Sequence, residues 1–186
     1  MNSLQRCTWA TSDAAMQLYH DIEWGKPVHN DLIHFEFLLL ESAQAGLSWQ
    51  TILKRREMYR EAFVGFDPQK VALFTDGDVE KLMTDSGIVR HRKKILSAIS
   101  NAKAFLRVQE EYGSFDTYLW KWVNNSVIDH KLITESDIPS VIPEAVAMSL
   151  DMKKRGFSFF GPVICYAYMQ SEGLVNDHIV SCFAYR

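Results

Sequence analysis

The chain has 186 residues, 47% of them hydrophobic, and a formal net charge of −3, which supplies one sizeable core and argues against nonspecific coating of a polyanion. No apolar run approaches the roughly 20 residues of a membrane span, and Met1 to Arg6 lacks the apolar stretch of a signal peptide. Three cysteines cannot all pair within one chain, and reduced thiols suit a metal better than a disulfide, so the expectation is a cytosolic monomer with no membrane contact.

Helical periodicity dominates from one end to the other. Asp13 to Trp24 reads as a first helix with Ser12 as its N-cap. Asp31 to Ala45 is strongly apolar and reads as a buried helix stopped by Gly46. Ser48 suits the cap of the next helix, Trp49 to Phe63, which is basic on one side. Asp67-Pro68 opens a short helix, since proline fits a first turn. Asp76 to Thr84 and Arg90 to Val108 follow, joined by the link Asp85-Ser86-Gly87-Ile88-Val89. Ser114 to Val123 is aromatic and helical, and Asn124 to Pro143 reads as a long, loose connection. Pro143 to Arg155, Pro162 to Ser171 and a short Asp177 to Cys182 complete the set. No window shows sustained β alternation, so the predicted fold is all-α, with residues 1–186 forming a single unit.

Two Cys/His pairs stand at opposite ends of the chain: Cys7 with His20, and His178 with Cys182. Each is half of a tetrahedral Cys₂His₂ zinc site, and the i, i+4 spacing of the second pair places both side chains on one helical face. Small buried thiols and satisfied histidines are the competing reading. The link around Gly87, followed by Arg90, Arg92, Lys93 and Lys94, could form a helix-hairpin-helix, in which backbone N–H groups at a helix start hold a phosphate. On pattern alone an ordinary hairpin with a solvated basic face is the favoured reading, because short motifs match often by chance. Lys54-Arg55-Arg56 matters only if it faces the same way. Glu41, after Leu38-Leu39-Leu40, is either wet at a helix end or buried for a purpose, because a buried anion is costly without partners.

Taken together, Cys7-Thr8-Trp9, Tyr19 through Gly25, Glu41 through Trp49, Ile52 through Glu57, Gly87 through Ile95, Lys154 through Gly161 and Gly173 through His178 with Cys182 resemble the DNA-3-methyladenine glycosylase I family of base-excision repair enzymes. The resemblance runs in order along nearly the whole chain. It implies a helix-hairpin-helix glycosylase fold with a structural zinc on Cys7, His20, His178 and Cys182. It implies that Glu41 is the catalytic and base-recognising carboxylate, that Tyr19 and Trp49 stack on the base, and that Trp9 and Trp24 line the pocket. Leu47 resembles the apolar plug that enters the duplex, while Gly87, Arg90, Arg92, Lys93 and Lys94 fall on the DNA-binding hairpin. Val163 stands where the family pattern leads us to expect threonine, and no polar role is carried to it.

The implied partner is double-stranded DNA carrying alkylated bases, and the implied product is free 3-methyladenine. Methylation at N3 makes the base a cation and a good leaving group, so little catalytic push is needed. No lysine stands out as a Schiff-base nucleophile, which points to a monofunctional glycosylase without strand cleavage. A zinc-stapled DNA-binding module without catalysis is the competing reading; Glu41 and Trp49, both present, argue against it. A zinc hydrolase needs an open coordination position, which four protein ligands would close.

Overall fold

The computed structural model describes residues 4–186, and nearly all of its regular structure is helical. Ten α-helices follow in chain order: α1 (Ala14–Ile22), α2 (Asp31–Gln44), α3 (Trp49–Leu53), α4 (Arg56–Ala62), α5 (Pro68–Val71), α6 (Asp76–Thr84), α7 (Arg92–Tyr112), α8 (Phe115–Trp120), α9 (Pro143–Lys154) and α10 (Pro162–Ser171). A short 3₁₀ turn, Thr8–Ser12, precedes α1.

Most helix starts carry the caps expected of them. The Asn30 side chain accepts from the Leu32 and Ile33 N–H groups at the start of α2, and the Ser48 side chain accepts from Thr51 at α3. Asp67 caps α5 with Pro68 in the first turn, and Thr75 forms a capping box with Asp78 at α6. The cap of α1 falls on Asp13, one residue later than expected, where its carboxylate accepts from the Met16 N–H at 2.9 Å.

Two long helices organise the core. Along α7, Ile95, Ala98, Ile99, Ala102, Phe105 and Val108 recur at helical spacing and are all buried. This face packs on α2, which is buried without interruption from His34 to Ala43. The Asp31 carboxylate accepts from the Phe115 and Asp116 N–H groups and from Gln109, tying the start of α2 to the N-terminus of α8. All the buried hydrophobic residues except Ala10 and Met16 form one continuous cluster.

Several expectations need correction. The helix predicted from Trp49 to Phe63 breaks at Lys54-Arg55, where Arg55 turns to donate to the Ser86 carbonyl at 2.8 Å. The second helix of the hairpin begins at Arg92, after the cap His91, so Arg90 lies in the link. Asp177 to Cys182 is a series of turns and not a helix. The connection after Asn124 contains β1 (Ile128–Asp129), which pairs in parallel with β2 (Val175–Asn176), Ile128 opposite Val175. This two-residue ladder depends on a partner almost fifty residues away, and nothing local announces it.

Gly173 shows how tightly the exit of α10 is packed. It adopts φ +68°, and a Cβ there would run into the Lys26–Pro27 peptide. Val28 N–H donates to the Glu172 carbonyl beside it at 3.1 Å. Gly173→Ala combines left-handed strain with overpacking against rigid backbone, and should lower unfolding free energy by about 3 kcal/mol or more. Urea denaturation of the variant checks this; a loss below about 1 kcal/mol would show that the Lys26 loop yields freely.

Candidate functional site

The sequence candidates converge on a cavity of about 270 Å³ lined by Trp9, Met16, Tyr19, Trp24, Glu41, Gln44, Trp49, Ile138, Ala167 and Gln170. Its size is at the small end for ligand pockets, which run roughly 300–1,000 Å³ for drug-sized molecules. A larger groove of about 420 Å³, lined by residues such as Glu61, Asp78, Lys81 and Asp85, contains none of the aromatic candidates.

The walls are aromatic. Tyr19 and Trp49 lie 5.3 Å apart between ring centroids at 49°, with Phe37 behind both at 6.2 Å from each. Trp9 meets Trp24 edge-on at 4.9 Å. The indole Nε1 of Trp49 is buried without a hydrogen-bond partner.

At the base of these rings lies Glu41, 2% exposed in the last turn of α2. Three ionisable side chains of this helix are buried, and two of them are paired. His34 meets Glu172 at 2.6 Å and Asp116 at 3.0 Å, while Glu36 accepts from Arg56 at 2.6 Å and Arg60 at 2.8 Å. Glu41 has neither a cation nor a hydrogen-bond partner for its Oε2 atom. The nearby Ser171 hydroxyl gives its proton to the Tyr168 carbonyl. Burial, reinforced by the negative charge of Glu172, raises the Glu41 carboxyl to about 8. An unpaired buried acid among aromatic faces is an arrangement built to receive a cationic, hydrogen-bond-donating ring.

A second constellation supports the first. The ligand atoms of Cys7, His20, His178 and Cys182 all lie within 4.8 Å of one another, and all four residues are buried. Cys182 Sγ is 3.4 Å from His20 Nε2 and 3.7 Å from His178 Nδ1, and Cys7 Sγ is also 3.7 Å from His178 Nδ1. Tetrahedral zinc with bonds of about 2.0–2.3 Å requires ligand separations of roughly 3.3–3.8 Å, which these match. The outer imidazole nitrogens are anchored too: His20 Nδ1 lies 2.9 Å from Asp21 and His178 Nε2 lies 3.1 Å from the Trp24 carbonyl. That outer support is what metal-bound histidines require. Burial holds His178 neutral, down to about 4, and pushes the Cys7 thiol up to about 12, a cost that a cation would offset. The approach of His178 and Cys182 comes from a turn closed by the Cys182 N–H to the Ile179 carbonyl, at 2.8 Å. Trp24 stacks edge-on against His178 at 4.7 Å, so the cluster and the pocket share a wall.

The remaining candidates lie on two loops and in the first turn of α7. Leu47 is exposed at the tip between α2 and α3, following Gly46 at φ +80°. Gly87 sits in the α6–α7 link, where a Cβ would come within 2.9 Å of Met58. Arg90, Arg92 and Lys93 are exposed, and Arg92 pairs with Glu80 at 2.6 Å. Lys94 is turned inward, against expectation: its Nζ donates to the Ala43 and Ala45 carbonyls at 2.8 and 2.6 Å. It binds the link to the Leu47 loop. The Lys54-Arg55-Arg56 run splits between Asp13, the Ser86 carbonyl and the Glu23–Glu36 pair, and forms no common face. Val163 is exposed. Sequence reasoning missed Ile138 and Gln170, which reach the cavity through the β1 connection and α10.

The methyladenine glycosylase family matches residues 9–185. DNA-3-methyladenine glycosylase 1 of Escherichia coli is 46% identical over 182 residues, covering 98% of this chain and 97% of its own. DNA-3-methyladenine glycosylase of Haemophilus influenzae is 44% identical over 177 residues, 95% of this chain and 96% of its own. A solved 3-methyladenine DNA glycosylase I variant in complex with 3-methyladenine superposes with a TM-score of 0.95 at 39% identity, covering 97% of each chain.

The charge state of Glu41 has a consequence for stability. A carboxyl raised from 4.5 to about 8 favours folding in its protonated form. That contribution is complete below the ordinary value and is lost as pH rises through the folded one. Glu41→Gln keeps the neutral shape. Relative to this variant, the wild type should lose up to about 1.4 kcal/mol of stability per pH unit between pH 5 and 8. Urea titrations of both proteins at each pH measure it, and a constant difference would place Glu41 in contact with solvent.

Proposed function

The chain belongs to the methyladenine glycosylase family, and from that premise we infer that it hydrolyses the N-glycosidic bond of 3-methyladenine in alkylated DNA and releases the free base. The observation that carries this reading is the unpaired, buried Glu41 carboxylate in a cavity walled by Tyr19 and Trp49. In DNA the N3-methylated ring bears a fixed positive charge. When the C1′–N9 bond breaks, its electron pair passes to the base and neutralises it; the oxygen of water bonds to C1′ and a proton is lost to solvent. The protein's task is to extract the base, recognise its charge and hold it.

Glu41 serves recognition by attraction and by accepting a hydrogen bond from the exocyclic amine. A unit charge pair about 4 Å apart is worth roughly 4 kcal/mol at an effective dielectric near 20 and about 1 in water. Stacking on Tyr19 and Trp49 adds about 1–3 kcal/mol per contact, against an unstacking cost of a few kcal/mol that is lower for a damaged base. Trp9 and Trp24 complete the enclosure. No lysine lines the cavity, which supports a monofunctional reaction.

On the DNA side, Leu47 fills the gap left by the extruded nucleotide. The α6–α7 link acts as a helix-hairpin-helix, holding the phosphate backbone through N–H groups near Gly87 and the start of α7. Arg90, Arg92 and Lys93 add charge, and Lys94 is a strut. Cys7, His20, His178 and Cys182 hold a structural zinc that joins the two ends of the chain; such an ion, when bound, supplies folding energy and no reactive position. Among the described residues no helix is long and apolar enough to cross a membrane, and three free cysteines fit a reducing cytoplasm.

The direct test is incubation with methylated duplex DNA and chromatography of the released bases. Wild type should release 3-methyladenine, and Glu41→Gln should bind the base about 10- to 100-fold more weakly, the worth of a hydrogen bond to a charged group. Absence of any released base from wild type would overturn the reading. For the metal, Cys182→Ala should lower zinc content and stability together, the latter by about 3 kcal/mol or more. Full zinc occupancy in that variant would remove Cys182 from the ligand set.

A further inference from the structure

Behind Glu41 lies a second buried acid that the base pocket does not itself expose. Glu172 ends α10 with no solvent exposure, and its Oε1 atom, like Glu41 Oε2, has no hydrogen-bond partner. Its other oxygen lies 2.6 Å from His34 Nδ1, and His34 Nε2 lies 3.0 Å from Asp116. An imidazole between two carboxylates satisfies both only when it carries two protons. The trio therefore contributes one net negative charge, shared by Glu172 and Asp116 about a buried cation. The residues before Glu172 on the same helix, Ala167 and Gln170, line the cavity that holds Glu41.

We propose that Glu172 is a positioning residue that sets the charge of the base pocket: anchored by His34, it stands behind Glu41 as a second carboxylate, so that the empty pocket keeps a proton on the Glu41–Glu172 pair and sheds it when a cationic base enters. This rests on the reading of the cavity as a cationic-base site. Two interacting acids in a dry site titrate as a unit, and ionising both is costly while one of them has no cation of its own. Every group facing them fits. Tyr19, from α1, is kept protonated by burial and by the field of Glu41. Glu36 is neutralised by Arg56 and Arg60 on its own side of α2. Tyr168 gives its hydroxyl proton to the His34 carbonyl at 3.0 Å. Burial raises Glu172 and His34 draws it back, while the Glu172 charge adds to the burial that raises Glu41. An ordinary base meets only the single negative charge of the trio, and a fixed cation meets a second one once Glu41 has lost its proton, which sharpens discrimination beyond what one carboxylate supplies.

The probe is 3,9-dimethyladeninium, a fixed cation with a methyl group in place of the sugar. Calorimetry in two buffers of different ionisation enthalpy counts protons released on binding. Wild type should release close to one proton at pH 7, with affinity rising about tenfold per pH unit from pH 6 to 7. Glu172→Gln keeps an acceptor for His34 and removes the charge, so release should fall toward zero and the affinity profile should flatten. Proton release equal to wild type in a folded Glu172→Gln would overturn the proposal. Failure of wild type to bind the cation at all would instead overturn the cationic-base reading on which it rests. Should the variant not fold, carboxyl ¹³C shifts of the wild type decide: each of Glu41 and Glu172 should register the titration of the other, and a single-step Glu41 curve with no trace at Glu172 would refute the coupling.

Discussion

The burial of one carboxylate without a partner is the constraint around which this molecule is arranged. Moving an anion out of water costs several kcal/mol, and proteins normally recover it with a cation or several donors. On α2 the comparison is internal, since Glu36 is given two arginines and His34 two acids, whereas Glu41 is given aromatic faces. Its raised pKa records that cost, to which burial contributes most and Glu172 next. In the proposed function the missing partner is the ligand, and the stability sacrificed in the empty protein is recovered when a cation arrives.

Holding such a site open requires rigid walls, and these come from distant parts of the chain. Tyr19 and Trp24 lie on or just after α1, Trp49 opens α3, and Gln170 is near the end of α10. The Cys/His cluster draws the first and last segments together directly behind Trp24, whose carbonyl orients His178. Gly173 lets the Lys26 loop press against the exit of α10. On the opposite side, Lys94 ties the start of α7 to the carbonyls that precede Leu47, so the α6–α7 link and the apolar tip keep a fixed relation. In the proposed function this strut converts a hold on phosphates into accurate placement of the plug.

Much of this was legible in the residues. Helix starts at Ser48, Asp67-Pro68 and Asp76 were readable because capping is local chemistry, and Asp76–Thr84 and Pro162–Ser171 have the expected bounds. The Cys/His pairs were readable from residue type as two halves of one site, whereas the roles of Glu41 and the pocket aromatics came through the family resemblance, since their separation along the chain carries no local signal. What escaped was non-local. The break at Lys54-Arg55 comes where the Arg55 side chain reaches a carbonyl in another link, and β1 exists only because β2 lies beside it. The inward turn of Lys94 answers bare carbonyls at the end of α2, and the His34–Glu172 pair spans 138 positions. Whether Glu41 was wet or buried could not be decided from an apolar helix end; packing against α10 decides it.

The central claim is that the pocket reads charge and not only shape. It is tested most directly by comparing two DNA duplexes, each with one modified adenine. In one the base is N3-methylated and cationic, on a 2′-fluoro sugar that resists cleavage; in the other a carbon bearing the methyl group replaces N3, on the same sugar, and the base is neutral. The account predicts at least about tenfold tighter binding of the cationic duplex by the wild type, with the difference abolished in Glu41→Gln. Equal binding of the two duplexes by the wild type would contradict it.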